Sequence, residues 1–328
     1  MADQNDTPPE EASIDVAGYG LAIAGAALFS TKGIFIKLAY TTGIGTETVL
    51  ALRMLVAFPF YLAIGAWVLA TSPELRARLS PGEIAAAAGV GILGYYVASS
   101  LDFWGLSFIT AQYERLVLFT YPFFTLALGV LFFGDRMNWG AVPGLAMSYA
   151  GLLVIMAWNF VVNPDGLLAG TVLVLGAAVS FALFQHLAKR RMAVIGTRAF
   201  TCIAMGAAAL VALAHNTVQH GIASYAAFSG EIWFYGACLG IVGTVLPSFL
   251  LNSGIQRIGA RATSSTAAFG PIATIALAVV VLGEAFTVWH ALGTTLVVLG
   301  VAWFSRAEHR AKTPAPIPAT PVGERGEA

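Results

Sequence analysis

Residues 118–155 read LFTYPFFTLALGVLFFGDRMNWGAVPGLAMSYAGLLVI: an apolar run, a break at Gly134-Asp135, then a second apolar run. The same order returns at 270–303 as GPIATIALAVVVLGEAFTVWHALGTTLVVLGVAW. Working outward, residues 94–154 slide by 149 positions, without a gap, onto 243–303. Gly94 then meets Gly243, Ser99 meets Ser248, Gly105 meets Gly254 and Ile109 meets Ile258. Pro122 falls on Pro271, Thr125 on Thr274, Gly134 on Gly283, Gly144 on Gly293 and Gly151 on Gly300, while Asp135 pairs with the like-charged Glu284. One ungapped offset that carries two kinking prolines and the loop and packing glycines together is the mark of a duplicated unit.

Composition says where the unit sits. Of 328 residues 58% are hydrophobic and 10% charged, with a mean hydropathy of +0.79, whereas soluble domains carry about 25% charged residues. A helix needs roughly 20 apolar residues to cross a bilayer, and the hydrophobic runs give ten candidates: 16–40, 46–70, 83–104, 109–133, 138–159, 167–188, 197–215, 231–253, 262–282 and 286–305. They leave no room for a large water-soluble catalytic domain. Five helices per repeat is an odd number, so the second copy enters the membrane upside down, about a pseudo-two-fold axis in its plane.

Charge placement fixes the orientation. With the N-terminus in the cytoplasm, the inner connectors hold Arg76, Arg78, Arg136, Lys189, Arg190, Arg191, Arg198, Arg257 and Arg261, and the tail holds Arg306, Arg310, Lys312 and Arg325. The outer connectors hold no base, which is the positive-inside pattern. The expectation is an all-α integral membrane protein of ten transmembrane helices as two inverted five-helix repeats, N-in and C-in. The first repeat covers 16–159 and the second 160–305, between short cytoplasmic tails at 1–15 and 306–328. Residues 1–15 are acidic and lack the basic start of a signal peptide, so the first span is expected to stay.

The first-helix phrase ALFSTKGIFIKLAY (27–40), the second-helix start LALRMLVAFPFYL (50–62), residues 118–155 and their echo at 270–303 resemble the EamA-type carriers of the drug/metabolite transporter (DMT) superfamily. The resemblance covers nearly all of 16–305. It implies a secondary carrier in the inner membrane, usually an exporter of amino acids, other metabolites or drugs, with a central cavity lined mainly by helices 1, 3, 4, 6, 8 and 9. The second Gly-acid turn departs from the first in having Ala285 where Arg136 stands.

Charges inside a bilayer are costly and therefore functional candidates. Lys32 and Lys37 fall on helix 1, Arg53 on helix 2, Asp102 on helix 3, and Glu114 with Arg115 on helix 4. The surplus of bases suits a carboxylate or other anionic group, with Glu114 or Asp102 left for an amine or a coupling proton. The alternative is that these residues pair with one another or snorkel to the interface. The substrate-binding candidates are Lys32, Tyr95, Tyr96, Glu114, Arg115, Ser248, Asn252 and Ser264, supported by Lys37, Arg53 and Asp102. Trp104, Tyr113 and Tyr121 add aromatic surface with polar tips.

Pro122 and Pro271 should bend helices 4 and 9 at matching depths, as kinks or gates. The paired glycines of helices 5 and 10 allow close approach to neighbours or to a second copy in a homodimer. Asp135 and Glu284 are placed to cap helices 5 and 10. Cys202 and Cys238 read as buried thiols, and no spacing suggests a metal, a cofactor or nucleic-acid binding. Phosphate-cradling motifs are absent, so the energy source is expected to be an ion gradient such as protons, the membrane potential or the solute's own gradient. The expected function is export of a small zwitterionic or anionic metabolite such as an amino acid. A drug or nucleoside carrier of the same fold is the alternative, and an integral-membrane transferase a distant one.

Overall fold

The computed structural model describes residues 15–162, 164–265 and 269–312, and every element among them is helical. The helices long and apolar enough to cross a membrane begin with α1 Val16–Thr41, α2 Thr46–Thr71, α3 Pro81–Phe108, α4 Ala111–Phe132 and α5 Trp139–Val162. They continue with α6 Leu167–Ile195, α7 Thr197–His220 and α8 Gly230–Leu251. After the shorter apolar α9 at Gly270–Leu282, α10 spans Val288–Glu308. Nine helices among the described residues thus meet the length that a bilayer demands. Large apolar side chains such as Leu131, Phe132 and Val280 stay exposed on the outside of the bundle, as a lipid-facing surface requires.

Two boundaries differ from the sequence expectation. The eighth helix runs on through Leu246–Ser265 and carries Arg257 and Arg261, which the hydropathy reading had put in a connector. α6 likewise extends past Lys189, Arg190 and Arg191 to Ile195. Hydropathy marks where a chain leaves hydrocarbon, but a helix with no proline in its path keeps its backbone bonds beyond that point.

The helices pair in a pattern that maps onto itself when each is exchanged for the one five places along. α1 packs on α8 and α9, as α6 packs on α3 and α4; α2 packs on α8 as α7 does on α3; and α2–α7, α4–α9 and α5–α10 pair with their own counterparts. The α5–α10 contact shows this in atoms. A Cβ added to Gly144 would stand 2.6 Å from the carbonyl oxygen of Gly300, and one added to Gly151 would stand 2.5 Å from that of Gly293. Antiparallel helices thus exchange contacts reciprocally. Midway, Ser148 Oγ donates to the carbonyl of Val297 at 3.0 Å, its own counterpart at the 149-residue offset. This glycine face is therefore used within the chain, not against a second copy.

Both halves also depart from α geometry at matching places. α3 winds as a π-helix over Ile92–Val97 and the eighth helix over Cys238–Val245. Such single-turn π segments widen the helix and cluster at functional sites. α4 is interrupted at Phe119–Thr120, with Pro122 in the first turn of its second piece, Tyr121–Phe132. Pro271, at the equivalent position, lies in the helix described over Phe269–Leu282. Pro122 thus starts a helical piece, where a missing N–H costs little.

Candidate functional site

α1, α3 and α4 bring four of the expected charges together. Lys32 Nζ stands 2.6 Å from Asp102 Oδ2, with side chains 15% and 4% exposed. Glu114 enters from α4, is 1% exposed, and lies beside Asp102. Its Oε2 would be 3.6 Å from a Cβ on Gly33, so the glycine on α1 leaves room for the carboxyl. Arg115 points the other way round α4, toward Gly270 on α9. That divergence is what adjacent positions on a helix produce.

This cluster is under-satisfied. Asp102 Oδ1, Glu114 Oε1 and Arg115 Nε are buried without a conventional donor or acceptor, three of the six such atoms among the described residues, and the two carboxyls meet each other. Buried polar atoms are nearly always paired in folded proteins, and groups left open gather where another molecule is to be bound. Two acids that share one lysine can take up an ammonium group or a proton.

Arg53 lies beside this cluster and shares Phe103 with it. It is 6% exposed. Its Nε donates to Thr244 Oγ1 at 2.9 Å and its Nη1 to Ser99 Oγ at 3.3 Å. Lys32 Nζ and Arg53 Cζ each lie 5.6 Å from the centre of the Phe103 ring. Thr244 belongs to the second π segment and Ser99 follows the first, so one guanidinium ties both distorted turns to α2.

The remaining candidates spread out. Tyr95, in the first π segment, stacks edge-on against Phe184 of α6 at 5.0 Å. Tyr96 turns away from the charges, and its hydroxyl meets His215 Nδ1 of α7 at 2.7 Å. Adjacent positions on a helix diverge, and this separates the two tyrosines. Ser248 donates to its own helix, to the Thr244 carbonyl at 2.7 Å. The side chains of Asn252 and Ser264 lie outside the described residues, as does Thr266. Lys37 lies near Glu114 and Glu284. Trp104 Nε1 donates to Glu47 Oε1 at 2.9 Å, and Tyr113 is 1% exposed, its hydroxyl 3.3 Å from Thr171 Oγ1.

Glu284 overturns the capping expectation. Its carboxylate accepts the backbone N–H groups of Ala111 at 2.6 Å and Gln112 at 3.1 Å, so it caps α4, not its own α10. At the start of α10 the His290 ring reaches back instead, its Nδ1 accepting the Thr287 N–H at 3.3 Å and lying 2.9 Å from the Thr287 hydroxyl. The turn itself repeats as expected. Asp135 N–H donates to Gly129 O at 3.0 Å and Glu284 N–H to Ala278 O at 3.2 Å, equivalent pairs in the two halves.

An open cleft of about 700 Å³ between α1 and the eighth helix is lined by Ala17, Gly20, Leu21, Ala24, Ser253 and Arg257. It lies away from the charged cluster and contributes none of its residues. Among the described residues no group of histidine, cysteine and acidic side chains is placed to hold a metal ion.

A helical membrane bundle with a repeated pairing pattern and a buried charge cluster is the form of a small-molecule carrier. The model of the EamA-like transporter family matches residues 16–157 and 168–306, and the chain belongs to that family. It is a multi-pass inner-membrane protein of transport, not an enzyme. It is 28% identical over 284 residues to the uncharacterized transporter YcbK of Bacillus subtilis, covering 84% of this chain and 89% of that one. A probable terminal-alkyne amino-acid exporter of Streptantibioticus cattleyicolor is 24% identical over 70% of this chain and 75% of its own. One crystal structure superposes with a TM-score of 0.58 at 20% identity, over 90% of this chain and 99% of the other, and shares the fold.

Proposed function

We propose that this chain is a secondary exporter of small zwitterionic or anionic metabolites, amino acids or their close relatives, working by alternating access. The observation that carries the reading is the under-satisfied cluster of Lys32, Asp102, Glu114 and Arg115 inside an apolar bundle. A hydrophobic-drug carrier has no use for so many unpaired polar atoms, and their burial is a cost that a polar solute offsets. The name carried by the Streptantibioticus relative, an amino-acid exporter, supports both the substrate class and the direction.

In this reading the two units, 16–159 and 160–305, are inverted five-helix repeats, with both termini cytoplasmic. The antiparallel, reciprocal contact of α5 with α10 supports the inversion. Lysine and arginine in the connectors at the Asp135 end support the orientation, and Glu284 then lies at the outer face. Substrate enters from the cytoplasm and displaces Lys32 from Asp102 or binds beside it. Glu114 is the site at which a coupling proton enters, and the two repeats then rock to expose the cluster outside.

Solute counterflow in proteoliposomes preloaded with pooled amino acids, with and without an imposed pH gradient, tests this. Accumulation of a labelled amino acid, lost in Glu114→Gln, is the expected result. No accumulation of any amino acid by the wild-type protein would overturn the substrate class.

A further inference from the structure

We infer that Arg53 is the carboxylate anchor of the substrate site, so that the site reads a zwitterion by its two ends: ammonium at Glu114 and Asp102, carboxylate at Arg53. The inference rests on the amino-acid reading above and assigns the charges within it. Lys32 is a poor anion site as it stands, because Asp102 already holds its ammonium at 2.6 Å. Arg53 has no such direct pair. Among the described residues no carboxylate lies within ion-pair distance of it, Asp102 acts on it only from farther off, and the hydrogen-bond partners of its guanidinium are the hydroxyls of Thr244 and Ser99.

A buried guanidinium held only by neutral hydroxyls lacks the compensation that a charge in a low-dielectric interior demands. The bond to Ser99, at 3.3 Å, is long for an N–H donor. A carboxylate accepts from a planar guanidinium through two parallel bonds, a stronger arrangement than either hydroxyl offers. It would take the place of Ser99, the weaker of the two hydroxyl partners.

Phe103 is the shared neighbour of the two charge sites, with Lys32 Nζ and Arg53 Cζ each 5.6 Å from its ring centre. Because Thr244 sits in one π segment and Ser99 borders the other, replacing either hydroxyl at Arg53 also loosens a link between the halves. Carboxylate binding is thereby coupled to movement of α3 against the eighth helix.

The test separates the two ends of the substrate. Thermal unfolding of the purified protein in detergent is followed at matched ionic strength with L-leucine, with 4-methylpentanoate as its deaminated analogue, and with isopentylamine as its decarboxylated one. The wild-type protein should be stabilised most by leucine and measurably by each half. Arg53→Gln should lose the 4-methylpentanoate response and keep the isopentylamine response, and Glu114→Gln should do the reverse. Arg53→Lys, which retains the charge without the fork, should keep a reduced carboxylate response and guards against a folding defect in Arg53→Gln. An undiminished 4-methylpentanoate response in Arg53→Gln would overturn the assignment, as would a wild-type protein indifferent to that anion. A carboxylate response that depends on Arg53, found alongside silent amino-acid counterflow, would keep the anchor and reject the exported class.

Discussion

The carboxylate of Glu284 holds the backbone N–H of Ala111 at 2.6 Å, and a second oxygen takes Gln112 N–H at 3.1 Å, across 173 and 172 residues of sequence. An acid at a helix N-terminus satisfies orphan donors and opposes the positive end of the helix dipole. Here it also fastens the α9–α10 turn to the head of α4, the helix that carries Glu114 and Arg115. Glu284 thus acts as a latch on the end of the bundle nearest the charge cluster.

Releasing the latch should change both stability and accessibility. Glu284→Gln keeps the shape but weakens charge-assisted bonds, at a cost of about 1–2 kcal/mol. A cysteine placed at Thr110, with Cys202 and Cys238 replaced by serine, should react several-fold faster with a membrane-impermeant maleimide in the Glu284→Gln protein. Equal rates would show that the contact is not a gate.

The Lys32–Asp102 pair makes a sharper demand. Lys32→Ala alone leaves Asp102 buried and unpaired, a loss of about 3–5 kcal/mol, so reduced expression should accompany lost transport. Joining Lys32→Met to Asp102→Asn removes both charges and should recover most of the thermal stability, read from the unfolding midpoint, without recovering transport. A double variant as unstable as Lys32→Ala would contradict the pairing.

Glycine positions give a contrast within one experiment. A Cβ at Gly144 would meet backbone atoms of α10, Gly300 O and Phe304 N, both at 2.6 Å, and neither can move aside alone. Gly144→Ala should cost about 1–3 kcal/mol by forcing α5 and α10 apart. Gly89 has nothing within 4 Å of its added Cβ. Gly89→Ala should therefore be neutral or stabilising by up to about 1 kcal/mol through helix propensity. Chemical denaturation of both variants in one detergent makes the comparison.

The missing arginine of the second Gly-acid turn should matter little. Ala285 is exposed, and only its carbonyl is engaged, by Gln112 Nε2 at 3.4 Å. Ala285→Arg should lie within about 0.5 kcal/mol of wild type and transport normally. A large loss in either would mean that the turn presses on something not evident from its exposure.

Much of this was legible in the residues. The 149-residue offset is consistent with the helix pairing, and Ser148 bonds the carbonyl of Val297, the residue 149 positions along. Periodicity and hydropathy located the spans because a bilayer demands a fixed apolar length. Lys32, Asp102, Glu114 and Arg115 stood out because charge is rare in hydrocarbon. The π segments left no such trace: ILGYYV and CLGIVGTV are ordinary apolar helix sequences, and the widening depends on packing against other helices. Glu284 was assigned to the wrong helix end because capping rules consider only sequence neighbours, while α4 brings a competing N-terminus in space. The setting of Arg53 left no trace either, because the hydroxyls that hold it, Ser99 and Thr244, lie far away in the chain.

The most direct test of alternating access is to lock the latch covalently. With Cys202 and Cys238 replaced by serine, Gln112→Cys and Ala285→Cys place thiols on either side of the contact that Gln112 Nε2 makes with Ala285 O at 3.4 Å. Counterflow is then measured after oxidation and again after reduction. The account predicts that transport stops when the bridge forms and returns when it is broken. Cross-linked protein that transports at the reduced rate would contradict it, because a carrier that works with this end sealed does not open there.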